Sequence, residues 1–181
     1  MQELSKHLIG NHLLAEAKQI SEAYEAAKIE LQLAFWEDLE KELQDRKIPL
    51  DKTDEYYFNA DRVTAFYRKS RNNRRFGISV VLDQLEKYPL LLYIEIYENI
   101  AYYLAAKLTT GRIMDEKEFM NKLLPPRGKH KRLQNFKQSW GSFYKPAPID
   151  LNFRTFESVV VQQLTDQGHR HRTVAKIADD V

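Results

Sequence analysis

Cysteine is absent from all 181 residues. Disulfide frameworks, thiolate zinc sites, iron–sulfur clusters and cysteine nucleophiles are excluded together, and a reducing compartment is permitted. Glycine and proline are scarce, at six residues each, and no glycine-rich phosphate loop or nucleophile elbow can be assembled from them. A long uncharged apolar run is missing as well. The most apolar stretch, Pro89 to Leu108, carries Glu95 and Glu98, so no membrane span is expected. The first residues lack a basic region followed by an apolar one, so no signal peptide is expected either, and the chain reads as cytoplasmic with no membrane partner. What is present is ordinary for a globular domain: 43% apolar, 12% aromatic and 30% charged residues, enough for one core.

Charge is segregated along the chain. Between Arg62 and Arg75 stand six basic residues and no acid, and between Arg127 and Lys137 five more, again without an acid. Against a net charge of +2, these eleven positive charges leave −9 for the rest. Segregation of this kind creates a field that the total conceals.

Apolar periodicity predicts a long helical pattern from Leu4 to about Arg46. Its stripe is Ile20, Tyr24, Ala27, Leu31, Phe35, Leu39 and Leu43, and Glu22, Glu25, Lys28, Glu37, Glu40 and Lys41 line the solvated face. Gly10-Asn11 is where the pattern breaks into a short helix and a longer one, and Pro49 and Asp51 close it. A short helix capped by Asn59 is expected through Ser70. Strands are expected at Phe76 to Leu82, Leu90 to Tyr97 and Ile100 to Leu108, with turns near Tyr88-Pro89 and Glu98-Asn99. Leu92, Ile94 and Ile96 alternate with Tyr93, Glu95 and Tyr97, the pattern of a half-buried antiparallel strand with Glu95 and Glu98 facing solvent. A helix from Met114 to Leu124, a fourth short strand around Ser139 to Tyr144, and closing helices at Phe153 to Leu164 and His171 to Val181, divided at Gly168, complete the reading. Trp36 and Trp140 are expected to anchor helix to sheet. The fold class is therefore α+β: a long N-terminal helix packed on a three- to four-stranded antiparallel sheet, with shorter C-terminal helices. Residues 1–48 form the helical segment and 49–181 the α+β domain, as one unit.

Several stretches stand out together: Phe35-Trp-Glu-Asp-Leu-Glu40 before the meander, Trp140-Gly-Ser-Phe-Tyr144, Leu151-Asn-Phe153, and a last helix ending Ile177-Ala-Asp-Asp-Val181. In this combination the chain, from about Ile20 to Val181, resembles the C-terminal portion of prokaryotic proteins of the PD-(D/E)XK nuclease superfamily. The resemblance implies an α+β module that follows a nuclease core, with the catalytic residues of a full-length relative upstream of Met1. A nuclease of that kind needs an aspartate at one strand end and a (D/E)-x-K triplet on the next, two carboxylates for a divalent metal and a lysine for the attacking water. The nearest set here is Asp83, Glu95 and Lys107, and Tyr97 stands where the triplet requires lysine. Mg2+ is expected only if that set were a divergent nuclease site. Otherwise no cofactor or metal is expected.

The basic windows carry the sharper chemistry. Arg68, Lys69, Arg71, Arg74 and Arg75, interleaved with Ser70, Asn72 and Asn73, suit phosphate recognition by charge and hydrogen bond, with Tyr67 and Phe76 as flanking rings for stacking. The alternative for these arginines is pairing with the acidic face of the long helix. Lys129, Lys131 and Arg132 form a second basic loop launched by Pro125-Pro126. His169 and His171 are two apart, on opposite sides of a helix, and so make a poor metal pair. The expected function is a non-catalytic nucleic-acid-binding module that serves a nuclease domain in cis or in another chain. The alternative is an interaction or homodimerisation module built on the long helix.

Overall fold

Between Gly10 and Pro49 the sequence has neither glycine nor proline, and this stretch becomes the longest element. The computed structural model describes residues 2–68, 75–85, 88–96, 99–106, 114, 137–139 and 142–181. Helix α1 is Gln2–Gly10 and α2 is Leu14–Asp45, separated at the expected break, where His12 takes a left-handed φ of 56°. At its far end α2 closes in a Schellman arrangement. Lys47 sits at φ 60°, its N–H donates to the Gln44 carbonyl, and the Ile48 N–H donates to the Leu43 carbonyl, at 2.8 and 2.9 Å.

Only the second half of α2 enters the core. Phe35, Trp36, Leu39 and Leu43 are fully buried, whereas Ile20 and Tyr24 remain 70% and 53% exposed. The stripe expected to be buried from Ile20 onward is thus covered only in part. The cause is length: α2 has 32 residues, about 48 Å at the helical rise, and the longest strand has ten, about 33 Å.

Asn59 caps α3, Ala60–Tyr67, its side-chain oxygen accepting from the Arg62 N–H at 2.9 Å. The strands are β1 (Phe76–Leu85), β2 (Tyr88–Ile96), β3 (Ile100–Ala106), β4 (Lys137–Ser139) and β5 (Ser142–Pro146). They form one antiparallel sheet in the order β1-β2-β3-β5-β4. Gly77 is required where β1 and β2 meet, because a Cβ there would lie 1.8 Å from the Ile94 carbonyl oxygen. The outer edge of β1 is sealed by the chain before α3: Asp51 and Phe58 donate to the carbonyls of Ser79 and Gly77, and Val81 donates to that of Pro49.

Three expectations need correction. The single strand expected around Ser139 to Tyr144 is a hairpin, β4 and β5 paired at Ser139 and Ser142, and Gly141 between them is a residue type suited to tight turns. The helix expected from Phe153 is only α4, Val159–Gln163. Before it, Asn152 accepts from the N–H groups of Arg154 and Thr155 and Phe156 is left-handed at φ 57°, so the backbone cannot be helical. Helix α5 runs Gln167–Asp179 and contains Gly168, because Asp166 caps it by accepting from the His169 N–H at 2.6 Å. Apart from Met114, the helix expected from Met114 to Leu124 lies outside the described residues, as does Trp140.

Alternation sends Phe76, Ile78, Val80, Leu92, Ile94, Ile96, Tyr102 and Leu104 into one core with the helices. Trp36 lies 5.9 Å from Phe76 and 6.1 Å from Phe58, ring to ring. Helix α5 is fastened across α2 by Arg170–Asp38 at 2.6 Å and Arg46–Asp179 at 2.5 Å, and to the sheet by the Tyr102 hydroxyl donating to the Ile177 carbonyl. Among the described residues no helix is long and apolar enough to cross a membrane.

Candidate nucleic-acid interface

The face of the sheet turned away from the described helices carries the polar chemistry. Strand register places Ser79, Tyr93, Tyr103 and Tyr144 in one cross-strand row, with Lys137 at the position opposite Tyr144. Exposure rises along the row: Ser79 and Tyr93 are buried, while Tyr103 and Tyr144 are half-buried. The Tyr93 hydroxyl donates to Asp54 Oδ2 at 3.0 Å, and Asp54 Oδ1 accepts from the Tyr56 N–H at 2.8 Å. Burial and the adjacent Asp54 hold the Tyr93 phenol far above its ordinary value, so it stays a donor. The Tyr103 and Tyr144 rings lie 6.3 Å apart and 29° from parallel, a continuous aromatic surface.

Glu95 sits one row along, opposite Gly77 and Ala101. Its side chain is only 13% exposed, which corrects the expectation of a solvent-facing carboxylate. Both cross-strand neighbours are small, and Asp54 comes in from the edge segment. Burial raises the Glu95 carboxyl from 4.5 to about 7; the Arg75 charge opposes this and the Asp54 charge adds to it. Arg75 Nε lies 3.6 Å from Glu95 Oε1, and its side chain remains 54% exposed. The same guanidinium lies 5.8 Å from the centre of the Tyr103 ring, within cation–π range. Arg75 thus pairs with a sheet carboxylate, whereas the sequence alternative had it pairing with the long helix.

The other candidates separate. Arg68 is exposed at the C-cap of α3. Lys69, Arg71, Arg74, Lys129, Lys131, Arg132 and Lys107 lie outside the described residues. Asp83 is exposed beyond a bulge in β1 and pairs with Leu90, five positions along β2 from Glu95, or about 17 Å. These two carboxylates cannot share one metal. Among the described residues no group of three histidine, aspartate or glutamate side chains is arranged to hold a metal. His171 lies 3.6 Å from Asp38 on the α2 side, next to the Arg170 ion pair. Of the two proposed stacking rings, Phe76 fails for a packing reason, since it is fully buried; Tyr67 is half-buried, edge-on to Phe66 and under the Lys28 ammonium on the α2 side.

Sequence reasoning missed Tyr103, Tyr144 and Asp54. The first carried a readable signal, since Tyr103 stands between Ala101 and Ala105 on the strand face opposite buried Tyr102 and Leu104. Asp54 carried none, because only the fold brings it to Tyr93. No protein-family model matches this chain, and neither does any curated protein or solved structure.

Proposed function

We propose that this chain is a non-catalytic nucleic-acid-binding module, with a role like that of the C-terminal portion in PD-(D/E)XK nuclease-like proteins. The observation that carries this reading is where the two basic windows join the sheet. The first ends with Arg75 at the head of β1, and the second ends with Lys137, the first residue of β4. The row from Tyr93 through Tyr103 and Tyr144 runs between these two strands on the face away from the described helices. Eleven basic residues in those windows would contact phosphates with little sequence discrimination, holding a strand for a nuclease domain in cis or in trans. The separation of Asp83 from Glu95 supports leaving cleavage to that other domain.

The test is fluorescence anisotropy of labelled DNA across a salt series, with Mg2+ present and the products run on a gel. Affinity that falls steeply with salt, without cleavage, is the expected result. Salt-independent or absent binding refutes the reading, and Mg2+-dependent cleavage refutes its non-catalytic part.

A second reading, homodimerisation through the long helix, is favoured by one observation: Leu4, Ile9, Leu14, Ile20 and Tyr24 are all more than half exposed on α1 and the first half of α2. Light scattering distinguishes the two, since a dimer abolished by Ile20→Glu with DNA binding absent would favour the helix.

A further inference from the structure

We propose that Tyr103, Tyr144 and Arg75 form a stacking platform for unpaired bases, so that the ligand of this face is single-stranded nucleic acid. This rests on the nucleic-acid reading above and goes beyond it by naming the strand state and the contacts.

A tyrosine pair on a sheet face offers two adjacent rings for stacking. Tyr103 and Tyr144 are register partners on adjacent strands, and their rings, 29° from parallel, keep part of their surface open to solvent. A duplex hides the faces of its bases within the stack, whereas a single strand presents them, and every base has a π-face. The 6.3 Å between the ring centres is also wider than the roughly 3.4 Å rise of stacked bases in a duplex strand. Neighbouring bases on the two rings must therefore spread apart, which a single strand allows.

Arg75 supplies the charge. Its guanidinium lies 5.8 Å from the Tyr103 ring centre and is more than half exposed, so it can contact a phosphate while remaining against the ring. Glu95 beneath it is a carboxylate on a face meant for a polyanion, and two features reduce that conflict. It is buried behind Arg75 at 3.6 Å, and that burial raises its carboxyl to about 7, which disfavours its negative charge. The far end of the row is fixed by the Tyr93–Asp54 hydrogen bond, and the Tyr103 and Tyr144 rings already lie side by side, with Arg75 against Tyr103, before any ligand is bound. The occupant is set by charge complementarity, because Arg75 and Lys137 end basic windows at the two outer strands of this same sheet.

The experiment uses the full chain, a labelled 20-nucleotide thymidine homopolymer and a labelled 20-base-pair duplex. Wild type is compared with Tyr103→Leu/Tyr144→Leu and with Tyr103→Phe/Tyr144→Phe, and the melting temperature of each is recorded. Wild type should prefer the single strand. The leucine variant should lose about tenfold or more of that affinity with duplex binding unchanged, and the phenylalanine variant should retain it. Full single-strand affinity in a folded leucine variant, with binding still salt-dependent, overturns the platform and leaves the basic windows standing. Failure of wild type to bind either probe overturns both. Photocrosslinking of a bromodeoxyuridine-substituted single strand to wild type requires no substitution: adducts on Tyr103 or Tyr144 support the platform, and adducts confined elsewhere overturn it.

Discussion

Replacing Glu95 by glutamine removes the one carboxyl group in the described sheet whose ionisation the fold opposes. The rise from an ordinary 4.5 to about 7, at about 1.4 kcal/mol for each pH unit, amounts to roughly 3 kcal/mol. A raised carboxyl value means that the folded chain holds its proton where the unfolded chain has lost it. Below pH 4.5 both states are protonated and nothing is lost. As pH climbs from 4.5 towards 7 the unfolded state gains from ionising and the folded state does not, so stability falls, and above about pH 7 the full loss is in place. Glutamine has the same shape and cannot ionise. Urea denaturation of wild type and Glu95→Gln at pH 5, 6, 7 and 8 should therefore show the variant gaining on wild type by roughly 2 kcal/mol between pH 5 and pH 8. Arg75→Ala should make the wild-type trend steeper, since it removes the charge that holds Glu95 down. Parallel stability profiles for wild type and Glu95→Gln would refute the reasoning, because they would mean that Glu95 is hydrated and ionised at neutral pH.

The remaining predictions concern the scaffold. Gly77→Ala should cost about 3 kcal/mol or more, because its Cβ would lie 1.8 Å from the Ile94 carbonyl oxygen and the β1–β2 ladder would have to part; thermal unfolding followed by circular dichroism reads it. Arg170→Ala should cost roughly 2 kcal/mol by leaving Asp38, its partner at 2.6 Å, in a half-buried site without its arginine, with the loss seen as a lower urea midpoint. Lys47→Gly should stabilise by about 1 kcal/mol, since it relieves a left-handed residue at φ 60°, which differential scanning calorimetry would register as a higher Tm.

The parts of the fold that were legible in sequence are those set by local rules. Gly10-Asn11 breaks the helix where expected, Asn59 caps α3, and the 3.6-residue period of Phe35, Leu39 and Leu43 marks the buried face of α2. The meander from Phe76 to Ala106 follows from alternation and scarce glycine. What was not legible depends on contacts distant in sequence. Alternation shows that a strand has two faces and says nothing of what covers the second, so Glu95 passed for a surface residue until Asp54, Gly77 and Ala101 were brought beside it. The irregular chain at 151–158 depends on Asn152 and on the left-handed Phe156, and an apolar pattern cannot reveal either. Tyr103 lay within reach of sequence reasoning because alanines flank it on its own face. Tyr144 became part of the site only when β5 paired with β3.

If the basic windows bind nucleic acid, the salt dependence of that binding reports it most directly. Anisotropy titrations of a labelled 20-nucleotide DNA, from 50 to 200 mM salt, should give a linear fall of log affinity with log salt. In a variant with Arg71, Arg74, Lys131 and Arg132 changed to alanine, the slope should be shallower by roughly three, about 0.7 for each of the four single-strand phosphates that are no longer neutralised. Equal slopes and affinities for wild type and variant, or no binding by wild type at 50 mM salt, would contradict the account.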